Sequence, residues 1–147
     1  MGETAGAIAA ILDAYRVDRD HARSVADRSL DLFDAVADRY ALPASARPLL
    51  ELGALLHNVG LTTNPPEHHL VGRDIVLRQP IANLSRRDRL IVACMVAFHR
   101  KKVRPQQEPV FLALGKKSRP LALQLSAILR VADGLDYSQS QTTHLLG

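Results

Sequence analysis

At 147 residues, with 47% hydrophobic and 23% charged side chains, the chain has the length of one domain and the composition of a globular protein. The formal charge of +4 suits phosphorylated or otherwise anionic partners as well as plain solubility. A single cysteine, Cys94, excludes an internal disulfide and a multi-cysteine zinc site, and three Tyr and three Phe without Trp argue against a base-stacking surface. No basic segment followed by an apolar run opens the chain, and no apolar stretch approaches membrane-spanning length. A cytoplasmic location without a membrane partner is therefore the default expectation.

The periodicity is helical almost throughout. A first apolar-rich helix runs from about Glu3 to Ala14. In "VDRDHARSVADRSLDLFDAVADRYAL", Ala22, Val25, Ala26, Ser29, Phe33, Val36, Ala37 and Tyr40 share one stripe, with Asp18 or Asp20 as cap and Pro43 just past the end. The third helix, "RPLLELGALLHN", carries Leu49, Leu52 and Leu56 on one row and Leu50, Ala54 and His57 on the next, with Gly60 as its stop. "TTNPPEHH" is a loop, because two prolines and an asparagine cannot continue a helix. A fourth helix resumes near Glu67 and ends before Pro80. Ser85 caps the fifth and most apolar, "LSRRDRLIVACMVAFHRKK". "VRPQQEPVFLALGKKSRP" is a connection with room for a short helical turn. The last helix, "LALQLSAILRVADGL", places Leu121, Leu125, Ile128, Ala132 and Leu135 on its core face. Strand alternation and repeats are lacking. The expectation is one all-α domain over residues 1–147, a compact bundle of six or seven helices.

Polar side chains interrupt these faces at helix ends. His21 starts the second helix one turn before Val25, and His57 and Asn58 close the third. His68 and His69 open the fourth, and His99 closes the fifth one turn after Met95. Asp133 and Asp136, three apart, follow Leu129 and Ser126 along one face of the last. Imidazoles and carboxylates converging from several helices are the usual way to build a metal site in an all-α fold. Nitrogen and oxygen ligands without sulfur suit Mn, Fe, Mg, Co or Zn and do not separate them. Each residue alone has a plainer reading. A histidine at a helix C-terminus serves the dipole, an aspartate in "ADGLD" prepares a turn, and Cys94 inside "LIVACMVAF" is a buried inert thiol. His144, in the polar tail, is set aside.

Taken in order, "DHARSVADRSLDLFD", "LLELGALLHNVG", "EHHLVGRDIV", "VAFHRKKV" and "LQLSAILRVADGLDYSQSQ" resemble an HD-domain protein. More narrowly, the stretch from about His21 to Gln141 is similar to the HD-like C-terminal domain of the exopolyphosphatase/guanosine pentaphosphate phosphatase family. The resemblance implies a divalent metal held by a first histidine, a His-Asp pair and a distant aspartate. These fall on His21, on His57 with Asn58 at the Asp position, and on Asp133. Binuclear relatives add histidines, for which His68 or His69 and His99 stand as candidates. It also implies phosphohydrolase chemistry, in which the ion activates water and polarises a phosphoryl oxygen. His57, Asn58 and Asp133 would then lie at the reacting centre, and Arg100, Lys101 and Lys102 would bind the phosphate. The basic run reads equally well as a solvated helix end with cations at the favourable pole of the dipole.

Asn58 departs from the pattern. An amide offers one neutral oxygen and cannot neutralise a divalent ion. His21, His57 and Asp133 leave three ligands for a weakened open site, or for no metal at all. In that family polyphosphate chemistry is assigned to an actin-like ATPase-type domain preceding the HD-like one, which is absent from this chain, so polyphosphatase activity does not follow from the match. Two functions remain. One is a metal-dependent phosphohydrolase-like protein acting on a nucleotide or another phosphate ester. The other is a non-catalytic HD-like module binding an anionic ligand or a partner protein through Arg100, Lys101, Lys102 and Arg104. A DNA-reading helix is not expected, because "LSRRDRLIVACMVAFHRKKVR" is apolar through its middle. A homo-oligomer is left open.

Overall fold

The computed structural model of the protein describes the backbone of residues 2–146 and the side chains of residues 4–136. Among the described residues are seven α-helices and no strand, as the periodicity requires. They are α1 (Gly2–Ala14), α2 (Arg19–Val36), α3 (Arg47–Leu56), α4 (His68–Arg78), α5 (Arg86–Phe98), α6 (Pro109–Ala113) and α7 (Arg119–Leu146), with 3-10 turns at Ala44–Ala46, Pro65–Glu67 and Pro105–Gln107. The starts are written in the sequence. Asp18 accepts from His21 N at 3.1 Å to cap α2, and Ser85 accepts from Asp88 N at 3.1 Å to cap α5. Prolines in the first turns of α3 and α6 occupy positions whose N–H has no helical partner.

α5 is the axis of the molecule. Every residue from Leu90 to Phe98 is buried, as befits a helix that is apolar all round. α3, α4, α6 and α7 all pack on it, while α2 lies across α3 and α7. Each fully buried Leu, Ile or Val contributes roughly 1.5–3 kcal/mol, so this helix anchors the fold. Its Cys94 is buried, and desolvation pushes the thiol up to about 12, which makes it inert. Among the described residues, no helix is long and apolar enough to cross a membrane.

Three details differ from the sequence reading. The stripe of α2 ends at Val36, and the chain turns out through a left-handed Ala41 (φ 52) while Leu42 N bonds Ala37 O at 2.9 Å. Tyr40 is thereby left 54% exposed. On α7 the core row is Ala122, Leu125, Leu129 and Ala132, with Leu121 and Ile128 half-buried and Leu135 exposed. Leucines stand at 121, 123, 125 and 129, so the apolar pattern alone admitted a face rotated by one residue. Gly60 does not stop α3 through a left-handed backbone, since no glycine among the described residues has positive φ. It serves close approach. A Cβ there would collide with the His68 carbonyl and lie 2.7 Å from Gly72 N, so the glycine lets the end of α3 pass the start of α4.

Candidate metal centre

That close passage brings helix ends together. His57 caps α3 and is fully buried. Its Nδ1–H donates to Ala54 O at 2.5 Å, which turns the Nε2 lone pair inward. Nε2 has no hydrogen-bond partner and lies 3.5 Å from Asp133 Oδ1. His21, in the first turn of α2, uses Nδ1 on Asp136 Oδ2 at 2.9 Å and presents Nε2 to the same Asp133 oxygen, also at 3.5 Å. The three ligand atoms all lie within 4.8 Å of one another. Around an ion with bonds of about 2.1 Å, tetrahedral ligands sit roughly 3.4 Å apart, so this spacing fits a divalent cation after a small contraction.

The electrostatics agree. Burial alone would raise the Asp133 carboxyl, but the imidazoles of His21 and His57 outweigh it and hold the group well below the usual carboxylate range. His21 is raised by its hydrogen bond to Asp133, against the penalty of burial, and by the charges of Asp133 and Asp136. Asp136 stays ionised despite desolvation because Ser24 Oγ (2.5 Å), Arg28 Nε (3.3 Å) and His21 all donate to it. It orients His21 as an outer partner of the kind that fixes a ligand's tautomer. The sequence reading placed Asp136 beside Asp133 but assigned it no role, and it did not single out Ser24 or Arg28. Their signal was present, since residues 21, 24 and 28 lie on one face of α2.

His99, His68 and His69 continue from this group in a single file. Ring centroids step 5.4 Å from His21 to His57, 5.2 Å to His99, 5.0 Å to His68 and 6.5 Å to His69. His99 caps α5, is pushed down to about 3 chiefly by burial, and donates Nδ1–H to Val96 O at 2.6 Å. Its Nε2 meets His68 Nε2 at 3.1 Å. Burial also lowers His68 and His69. His69 Nδ1 is buried without a partner, and its Nε2 lies 3.8 Å from Glu67. The structure thus gathers His21, His57, His68, His69 and His99 but converges only His21, His57 and Asp133. Asn58 follows His57 half-buried, its backbone carbonyl accepting from Leu61 N at 3.0 Å.

The basic run is dispersed. Arg100 donates to Pro65 O (3.0 Å) and Pro66 O (3.2 Å) and touches His68 Nδ1 (2.9 Å). Lys101 pairs with Glu67 at 3.1 Å, and Lys102 is exposed. Arg130, which the sequence reading passed over, ties α7 to this end through Phe98 O and Lys101 O at 2.9 and 2.7 Å. The His144 side chain lies outside the described residues.

An all-α domain in which two helix ends and the middle of α7 meet around two imidazoles and a carboxylate falls in the class of helical domains with a partly buried His/Asp group. The family model described as Ppx/GppA phosphatase, domain III, matches residues 5–146, and the chain belongs to that family. The chain is also similar to the guanosine-5'-triphosphate,3'-diphosphate pyrophosphatase of Pseudoalteromonas translucida (strain TAC 125), 28% identical over 122 residues. The match covers 82% of this chain and 24% of the relative, so the chain spans about a quarter of the relative's length. The resemblance read from the five motifs is borne out at the level of the family.

Proposed function

We propose that the protein is an HD-type phosphohydrolase-like domain acting on a nucleotide or another phosphate ester, with a divalent ion held weakly by His21, His57 and Asp133. One observation carries this reading: the fully buried Nε2 of His57 faces a carboxylate oxygen at 3.5 Å with no donor of its own. With His57 neutral two acceptors confront each other there, and a proton or a cation between them relieves the repulsion. A raised His21 supports it, because in metal-free protein a proton on that ring partly fills the same electrostatic role. The name of the Pseudoalteromonas relative, a pyrophosphatase of a phosphorylated guanosine, supports a nucleotide as the substrate class.

A divalent ion in this site would supply Lewis acidity and an activated water. The residues of the chain set its affinity and position. Asp133 is the one anionic ligand, and Asn58 adds at most a neutral oxygen, so a single negative charge opposes two positive ones. Asp136 fixes the His21 ring, and the Ala54 carbonyl fixes that of His57. Of the basic run, Lys102 is the cation we assign to a substrate phosphate, with Arg100 and Lys101 holding the start of α4 beside it.

Asn58 also favours a second reading, a non-catalytic module binding an anionic ligand through the basic run. Metal content of protein purified without chelator, measured alongside phosphate release from a nucleotide panel with Mn²⁺, separates the two. We expect substoichiometric metal that is lost in His57→Ala, with both occupancy and turnover rising in Asn58→Asp. Absence of metal and turnover, with His57→Ala indistinguishable, would overturn the first reading. Anion binding that weakens with salt and ignores chelator would establish the second.

A further inference from the structure

Arg100 sits against an imidazole pair that the proposed site does not use, and the hydrogen inventory there favours one tautomer of His68. Val96 O lies 2.6 Å from His99 Nδ1, so that nitrogen carries the proton and His99 Nε2 is a lone pair. The 3.1 Å contact between the two Nε2 atoms then needs its hydrogen from His68. With the proton on Nε2, His68 Nδ1 is also a lone pair, and the carbonyl of Pro65 at 2.9 Å cannot be its acceptor. The donor to Nδ1 is Arg100 NH1 at 2.9 Å, whose other hydrogen serves Pro65 O at 3.0 Å and Pro66 O at 3.2 Å. The opposite tautomer of His68 would donate to Pro65 O, but it would set the two Nε2 lone pairs against each other across 3.1 Å and lose the Arg100 hydrogen bond to Nδ1. A cationic His68 would stand buried beside a guanidinium; burial and the charge of Arg100 outweigh the Pro65 carbonyl, which favours that charge.

We propose that Arg100 is a positioning residue: its guanidinium locks His68 as the Nε2–H tautomer, so that His68 caps His99 and the pair is withheld from metal coordination. Ligation requires a nitrogen lone pair on each ring, and in this arrangement Arg100 covers one of the lone pairs of the pair and His68 the other. The capacity of the five-histidine file is thereby set at one ion, at the His21, His57 and Asp133 end. This consequence for metal count rests on the reading above, whereas the tautomer does not.

The test begins with metal-free, ¹⁵N-labelled protein at mildly alkaline pH. Long-range ¹H–¹⁵N correlation should show His68 protonated on Nε2 and His99 on Nδ1. Arg100→Met should move the His68 proton to Nδ1, onto Pro65 O, whereas Arg100→Lys, which keeps a cationic donor, should retain the original pattern. In Mn²⁺ titration Arg100→Met should gain one equivalent over the unaltered protein, and the gain should vanish on adding His99→Ala. An Nδ1 proton on His68 in the unaltered protein, an unchanged tautomer in Arg100→Met, or an unchanged metal count in that variant would each overturn the proposal. Failure of the unaltered protein to bind Mn²⁺ at all, with the tautomers as expected, would instead overturn the proposed metal site.

Discussion

Asp136 decides which nitrogen His21 offers. By accepting the Nδ1 proton, with Ser24 and Arg28 also donating to it, it holds the ring so that Nε2 faces Asp133. Asp136→Asn removes the charge and invites a flipped amide, so the tautomer is no longer enforced. Mn²⁺ affinity should fall about 10–100-fold, the usual effect of removing an outer partner, with little change in helix content by circular dichroism. An unchanged affinity would mean that His21 is oriented by packing alone. The three-residue spacing of Asp133 and Asp136 put both carboxylates on one face of a helix and was legible in the sequence. Which of them would meet the imidazoles and which would orient one was not, because that depends on how α7 crosses α2. The histidines at helix ends were legible for a simple reason: each interrupts an apolar row at a position where a buried imidazole must find a partner.

Between elements, the fixed quantities are approach distances, and two glycines separate cases that look alike in the sequence. At Gly60 a Cβ would meet backbone, the His68 carbonyl and Gly72 N at 2.7 Å, and backbone of a packed helix cannot step aside. At Gly53 it would meet the end of the Met95 side chain, including Sδ at 2.8 Å, and methionine repacks readily. Gly60→Ala should therefore cost about 1–3 kcal/mol, the range for forced overpacking, and move His68 away from the end of α3. Gly53→Ala should cost less than Gly60→Ala, because most of what it meets is the flexible end of Met95. Urea denaturation of the two variants measures the contrast, and equal losses would refute this account. A glycine after "LLHNV" reads naturally as a helix stop. Close packing against a helix that begins eight residues later leaves no mark in local periodicity, which is why that part of the fold was not legible. The rotated face of α7 was missed for a related reason, since a leucine-rich run supports more than one apolar stripe.

At the scale of the whole molecule, α2, α3, α4 and α5 each bring a histidine to one interior file, and folding therefore changes the proton affinity of several groups at once. His99 is shifted from 6.5 to about 3, chiefly by burial. Between those values the unfolded chain binds a proton that the folded chain refuses, so stability is lost as pH falls through this window, by up to one proton for this one group. His68 and His69 are lowered by burial and act in the same direction. Asp133 and Asp136, held below their ordinary value, withdraw their contribution as pH falls further through the carboxylate range. His21 has the opposite sign. Its raised value makes its contribution complete below 6.5 and lost as pH climbs through that value in the metal-free protein. Stability of the metal-free protein should consequently be greatest near neutral pH and fall steeply on the acid side. His99→Leu should flatten the profile between pH 6.5 and about 3 by close to one proton. His21→Asn should flatten the alkaline limb while also weakening the carboxylate contribution at the acid end, because His21 helps hold Asp133 and Asp136 low. Urea midpoints measured across pH decide the matter: an acid slope unaltered by His99→Leu would show that the buried file does not control the titration of the fold.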